Sequence, residues 1–211
     1  MAKKTLKKAD AKQAGPAVVK GKLKIKPGKP AKVSSSKLAY EGPLFSVFTE
    51  QVHEPGVKPV RRDVIRHNGS VVILAVDDSK SKKDPYIVIE RQYRHAAGQY
   101  LYEVPAGKVD SDEERLAAAK RELIEETGFR AKKWTKLTRY FASPGFLGEW
   151  MQVFLAEGLT LGEAEPEADE KLEIHMVKLS ELLRLIEAGE IRDGKTLVSV
   201  MLYARLKQAK R

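Results

Sequence analysis

The chain contains no cysteine. Disulfides, zinc–thiolate centres and a cysteine nucleophile are therefore excluded. No apolar run approaches the roughly 20 residues needed to cross a bilayer. The N-terminus carries lysines but no apolar stretch behind them, so it does not read as a secretory signal. Residues 1–37 have no arginine, which argues against a mitochondrial transit peptide. They also lack Phe, Trp and Tyr. A cytoplasmic protein is the expectation.

Charge is distributed unevenly. The formal net charge is +10, yet residues 1–37 hold 12 lysines against the single acid Asp10. That leaves 27 bases and 28 acids in residues 38–211, so the basicity belongs to the first segment alone. A Lys-, Ala-, Gly- and Pro-rich stretch without aromatics buries too little to offset its ordering entropy. Residues 1–37 are accordingly expected as a disordered basic tail, and 38–211 as one folded domain. The tail could act only as a solubilising extension, or make loose, nonspecific nucleic-acid contact. Base-specific recognition is not expected without stacking groups.

From Leu38 onward the pattern is α+β. Leu44–Val52 and Val60–His67 read as strands around Pro55-Gly56. Ser70–Val76 and Tyr86–Arg91 are β-branched runs, and Tyr100–Ala106 alternates before Pro105 and Gly107. Asp112–Thr127 has no Gly or Pro; Ser111 and Glu114 suggest a capping box, and Gly128 a stop. Strands are expected at Thr138–Ala142, Trp150–Ala156 and Leu172–Val177, and helices at Ser180–Ala188 and Lys195–Leu206.

The chemistry concentrates on the helix 112–127. With Leu116 set at zero and about 100° per residue, Glu125, Glu122 and Glu126 fall at roughly 180°, 240° and 280°. Leu123 and Ile124 flank Leu116 on the opposite side. Like charges at i,i+3 and i,i+4 repel. A divalent cation would turn that repulsion into coordination, and hard oxygen donors select Mg²⁺, Mn²⁺ or Ca²⁺ over zinc. Taken alone, such a face is more often merely solvated. Its surroundings reverse that balance. Gly107, Glu113, Arg121, Glu122, Leu123, Glu125, Glu126, Gly128 and Phe129 stand in the spacing G-x5-E-x7-R-E-U-x-E-E-x-G-U, with U bulky and apolar. By average residue usage, this arises by chance in such a chain with a probability on the order of 10⁻⁷.

This array resembles the Nudix box at every defined position. Arg91-Gln92-Tyr93-Arg94, Glu103 to Lys108 and Ser143-Pro144-Gly145 are similar to segments of the ADP-ribose pyrophosphatase branch of that superfamily. Pro144 follows Gly128 by 16 residues, the spacing associated there with ADP-ribose. The resemblance implies an α/β/α sandwich with a mixed sheet. It also implies a homodimer in which strands from 38–67 are exchanged.

It further implies hydrolysis of the pyrophosphate bond of a nucleoside diphosphate sugar, with Mg²⁺ (or Mn²⁺) as cofactor. ADP-ribose, cleaved to AMP and ribose 5-phosphate, is the first expectation, and GDP-mannose or a broad sugar-nucleotide range the alternative. An RNA-directed Nudix protein guided by the tail is the alternative of another class. By position, Glu122, Glu125, Glu126, Glu170 and the Ala106 carbonyl would hold metal, and Glu113 and Arg121 would fix the geometry of loop and helix. The family often places an acid at position 168, here Ala168, so Glu167 is the substitute candidate for the base. Arg62, Arg94, Glu103, Pro144 and Glu149 are the expected substrate contacts. Ser143-Pro144-Gly145 is also an ordinary turn sequence, and Arg62 and Arg94 could equally be surface ion pairs. The four histidines show no ligand spacing and read as structural or surface residues.

Overall fold

The computed structural model describes residues 22–23, 25–164 and 171–209. The chain runs through β1 (Lys32–Glu41), β2 (Ser46–His53), β3 (Val60–Arg66), β4 (Ser70–Asp77), β5 (Tyr86–Arg94), β6 (Gln99–Glu103) and β7 (Ala106–Lys108). Then follow α1 (Arg115–Thr127), β8 (Phe129–Phe141), β9 (Trp150–Leu161), β10 (Glu173–Lys178), α2 (Leu179–Glu187) and α3 (Gly194–Ala209). No helix among the described residues is long and apolar enough to cross a membrane.

The main sheet is mixed, in the order β10-β5-β4-β9-β8, with β4 and β9 parallel. Strand β4 is apolar almost throughout because both of its faces are covered. Its side chains alternate: Val72, Leu74 and Val76 pack with Leu182, Val200 and Ala204 of α2 and α3. Val71, Ile73 and Ala75 pack with Ala118, Ala119 and Leu123 of α1. The expected α/β/α sandwich follows from this period of two.

Strands β6 and β7 position the site. Strand β6 pairs with β5, and β7 pairs with the start of β4. The crossing falls at Val104-Pro105, where the Pro105 carbonyl accepts from Ile73 N–H at 2.8 Å. The chain leaves β7 towards the N-terminus of α1, so Ala106 and Gly107 come to lie against that helix.

Three expectations are corrected. First, the boundary at 37/38 cuts through β1, which begins at Lys32 and pairs antiparallel with β2 from Lys32↔His53 to Glu41↔Ser46. All ten β1 residues are exposed. Composition reports on burial, whereas this strand is held by backbone hydrogen bonds that any sequence can make. Of the rest of the expected tail, residues 1–21 and 24 lie outside the described residues. Second, α1 begins at Arg115, not Asp112. The cap is Glu114, whose carboxylate accepts from Leu116 N–H (2.7 Å) and Ala117 N–H (3.1 Å). Third, β8 starts at Phe129, directly after the left-handed Gly128 (φ 72°).

The sheet β1-β2-β3 is tied to the main body through β3. Ile65 N–H donates to Phe146 O (2.8 Å) and Gly148 N–H donates to Ile65 O (3.0 Å). The loop 143–149 is thereby clamped beside the cavity described below.

Candidate active site

Helix α1 turns Leu123 fully into the core, which directs Glu122, Glu125 and Glu126 towards β7. Glu126 is buried, and its Oε2 accepts from Ala106 N–H at 3.1 Å. Glu122 lies so close to Gly107 that a Cβ there would sit 1.8 Å from its Cδ. Glycine at 107 is therefore a spatial requirement of the carboxylate. Arg121 ties the cluster together. It donates to Glu113 twice (3.0 and 2.9 Å), to Glu122 (2.9 Å), to Glu125 (2.8 Å) and to the Lys108 carbonyl (3.3 Å). The Glu113 bonds are foremost in holding the guanidinium in its charged form, and they hold the Glu113 carboxyl below its usual range. Three glutamates thus share one arginine.

Glu122, Glu125 and Glu126 border a cavity of about 360 Å³ with Ala106, Gly107 and Arg94. Its acidic donors are all oxygens, which suits a hard divalent cation. Among the described residues, no three acidic or histidine side chains converge on one ion position. Arg121 accounts for this: its guanidinium draws Glu122 and Glu125 to itself and stands in for a cation between them. Gly107 leaves the room a ligand-bearing carboxylate needs. The residues therefore fit a divalent metal, with Arg121 as the group that must yield.

A second cavity of about 410 Å³ adjoins the first and shares Leu44, Arg94, Ala106, Gly107 and Lys108 with it. Here Glu149 accepts from Ser70 Oγ at 2.6 Å and lies 3.8 Å from His67 Nδ1. That nitrogen accepts from Gly69 N–H at 3.0 Å, so the neutral imidazole carries its proton on Nε2. Leu147 and Met151 add apolar wall. The cavity combines a carboxylate and a histidine with an apolar lining, the composition of a small-molecule site.

The expected site residues divide by position. Glu122, Glu125, Glu126, Arg121, Ala106 and Arg94 meet in the first cavity, and Glu149 lies in the second. Glu103 is not an open contact. It is 1 % exposed, and both of its oxygens accept from Arg94, at 2.9 and 2.8 Å. Its burial opposes ionisation, but Arg94 and Lys195 outweigh this and hold its pKa down. Arg62 lies outside both cavities, paired with Glu54 on the β2–β3 hairpin. Pro144 is exposed and lines neither, although its loop delivers Leu147 and Glu149. Glu167 and Glu170 lie outside the described residues. Tyr100 and Tyr102 are exposed in the single chain. His67 and Lys195 escaped the sequence reading. Neither has a motif neighbour, and only the fold brings them to a cavity wall.

A NUDIX domain model matches residues 66–198. The chain is 38% identical over 172 residues to an ADP-ribose pyrophosphatase of Bacillus subtilis (strain 168), covering 81% of this chain and 90% of that protein. It is 34% identical over 154 residues to a GDP-mannose pyrophosphatase of Citrobacter koseri, covering 64% and 77% respectively. A solved structure of an ADP compounds hydrolase superposes with a TM-score of 0.71 at 22% identity, over 88% of this chain and 98% of that one, a likeness of fold.

Proposed function

The chain belongs to the NUDIX family, and we propose that it is a metal-dependent pyrophosphohydrolase of nucleoside diphosphate sugars, with ADP-ribose as the preferred substrate. The observation that carries this reading is the carboxylate cavity, where a residue without a side chain makes room for Glu122 beside Glu126 and Arg94. The cation is taken to be Mg²⁺, replaceable by Mn²⁺.

In this reading Glu122, Glu125, Glu126, Glu170 and the Ala106 carbonyl would hold the cation. Bound there, a divalent cation supplies charge neutralisation for the diphosphate and an acidified water. Glu113 takes over Arg121 when Glu122 and Glu125 turn away from it, which keeps loop and helix in register. Arg94 meets the diphosphate oxygens, since a guanidinium fork matches phosphate geometry. Glu149, oriented by Ser70, accepts from sugar hydroxyls in the second cavity. Glu167 or Glu170 takes the proton of the attacking water. The P–O–P linkage breaks, with the water oxygen ending on one phosphorus and the bridging oxygen leaving with the other. ADP-ribose yields AMP and ribose 5-phosphate.

Product release from ADP-ribose, GDP-mannose, UDP-glucose, NADH and diadenosine polyphosphates, each with Mg²⁺, tests the assignment. The expected result is highest kcat/KM on ADP-ribose. Preference for GDP-mannose would favour the second reading, which the GDP-mannose pyrophosphatase relative supports. Two further points belong to the same reading. The chain is a homodimer, since β1 and its neighbours leave Val33, Leu38 and Tyr40 exposed in one copy; a monomer mass by light scattering would refute it. The lysines of residues 1–21 make at most weak nucleic-acid contact, so removing that segment, which spares β1, should leave small-substrate turnover intact.

A further inference from the structure

Lys195 is the second residue of α3, and it is buried. Two effects oppose a cation there. Burial strips its hydration, and the first turn of a helix is the positive end of its dipole. Asp193 already caps the helix, its Oδ2 accepting from Thr196 N–H (2.9 Å) and Thr196 Oγ–H (2.7 Å). Attachment of α3 does not depend on the lysine either. Thr196 Oγ1 accepts from Val104 N–H at 2.9 Å, and Val200 and Ala204 sit in the core. A small polar residue would serve the fold better. A residue that breaks local rules in this way points to a demand from the site.

That demand is visible in its partners. Lys195 donates to Asp193 Oδ1 at 3.2 Å and to Glu103 Oε2. Glu103 holds Arg94 side-on through Nε and Nη2. Among the described residues, Arg94 Nη1 makes no hydrogen bond, and Arg94 borders both cavities. The arginine also feels the charges of Glu90 and Glu126. Facing three carboxylates, it would be drawn inward and spent on them unless one were countered from behind.

We propose that Lys195 is a positioning residue: held by Asp193, it pins and offsets Glu103, so that Arg94 turns its unbonded Nη1 edge to the substrate diphosphate. The inference rests on the pyrophosphohydrolase reading. Its test compares Lys195→Met, Lys195→Arg and Val200→Ala with wild type. The readouts are steady-state kinetics on Mg²⁺–ADP-ribose and the calorimetric affinity of α,β-methylene ADP-ribose. Lys195→Met should raise KM and weaken the analogue by about tenfold, one charge-assisted hydrogen bond, with kcat little changed. Lys195→Arg should recover most of that loss. Val200→Ala, a core truncation in the same helix, should lower Tm and leave both values alone.

Unchanged analogue affinity in Lys195→Met, or equal weakening in Val200→Ala, would overturn the proposal. Should Lys195→Met not fold, Asp193→Asn decides, because Asn still caps the helix but no longer holds the ammonium; unchanged affinity there sinks the idea. A wild type that binds the analogue but hydrolyses no nucleotide sugar defeats the hydrolase reading alone, and the analogue comparison still decides the role of Lys195. A wild type that binds no analogue defeats both.

Discussion

Two charge clusters with different balances meet at the two adjoining cavities. On the α1 side, Glu113, Glu122 and Glu125 share Arg121, and Glu126 lines the cavity beside them, an excess of negative charge. On the β6–α3 side, Arg94 and Lys195 match Glu103 and Asp193 one for one. The first cluster works against the fold until a cation arrives. The second is close to self-sufficient, and it is costly to break because a buried charge would lose its partner. Ligand chemistry is therefore expected from the first, and preorganisation from the second.

Breaking the comparison on the acidic side should have the largest effect. Glu122→Gln or Glu126→Gln should lower kcat by about a thousandfold, matching the several kcal/mol a metal contributes. Melting of the metal-free variants should show little change in stability, since the repulsion relieved offsets the weakened contact to Arg121 or Ala106. Normal turnover by either variant would remove it from the metal set.

The balanced side responds in the other direction. Glu103→Ala leaves Arg94 and Lys195 facing each other and should cost about 3 kcal/mol in denaturant unfolding. The same carboxylate sets an acid limit. Its folded pKa is lowered, so its contribution is complete above the unfolded value and is lost as pH falls through the folded one. Stability should hold above about pH 5 and decline below about pH 4. Glu103→Ala should flatten that decline; an unaltered pH profile of unfolding would show that Glu103 is not responsible.

Adding Mg²⁺ sharpens the contrast further. At a hundredfold excess over its Kd it should stabilise wild type by about 2.7 kcal/mol, and Glu122→Gln much less. Equal gains in both proteins would place the ion elsewhere. The smallest effect is expected from Gly107→Ala. Its methyl group must displace the Glu122 carboxylate, and a misplaced ligand should cost about tenfold in kcat/KM. Wild-type kinetics in this variant would mean that Glu122 moves freely.

How much could be read beforehand varied with the range of the forces involved. Strand β4 and the core of α1 were legible because burial on both faces, or on one stripe, imprints a period on the sequence. Strand β1 was hidden because a backbone ladder asks little of its side chains. The first half of β8, Phe129 to Trp134, was hidden because the lysines of an edge strand look like a loop. The start of α1 was misplaced because Ser111 and Glu114 fit one capping pattern while the chain used Glu114 itself as the cap.

The carboxylate edge was settled by sequence alone. Spacings of three and four on a helix translate directly into a shared face, and the glycine, glutamate and arginine spacings around it left little room for another chemistry. The state of Arg94 was decided only by tertiary structure. Glu103 and Lys195 are 92 residues apart, and no local periodicity encodes their meeting. Packing of α3 across β4 and β6 brings them together, and charges buried by that packing acquire partners that linear sequence does not record.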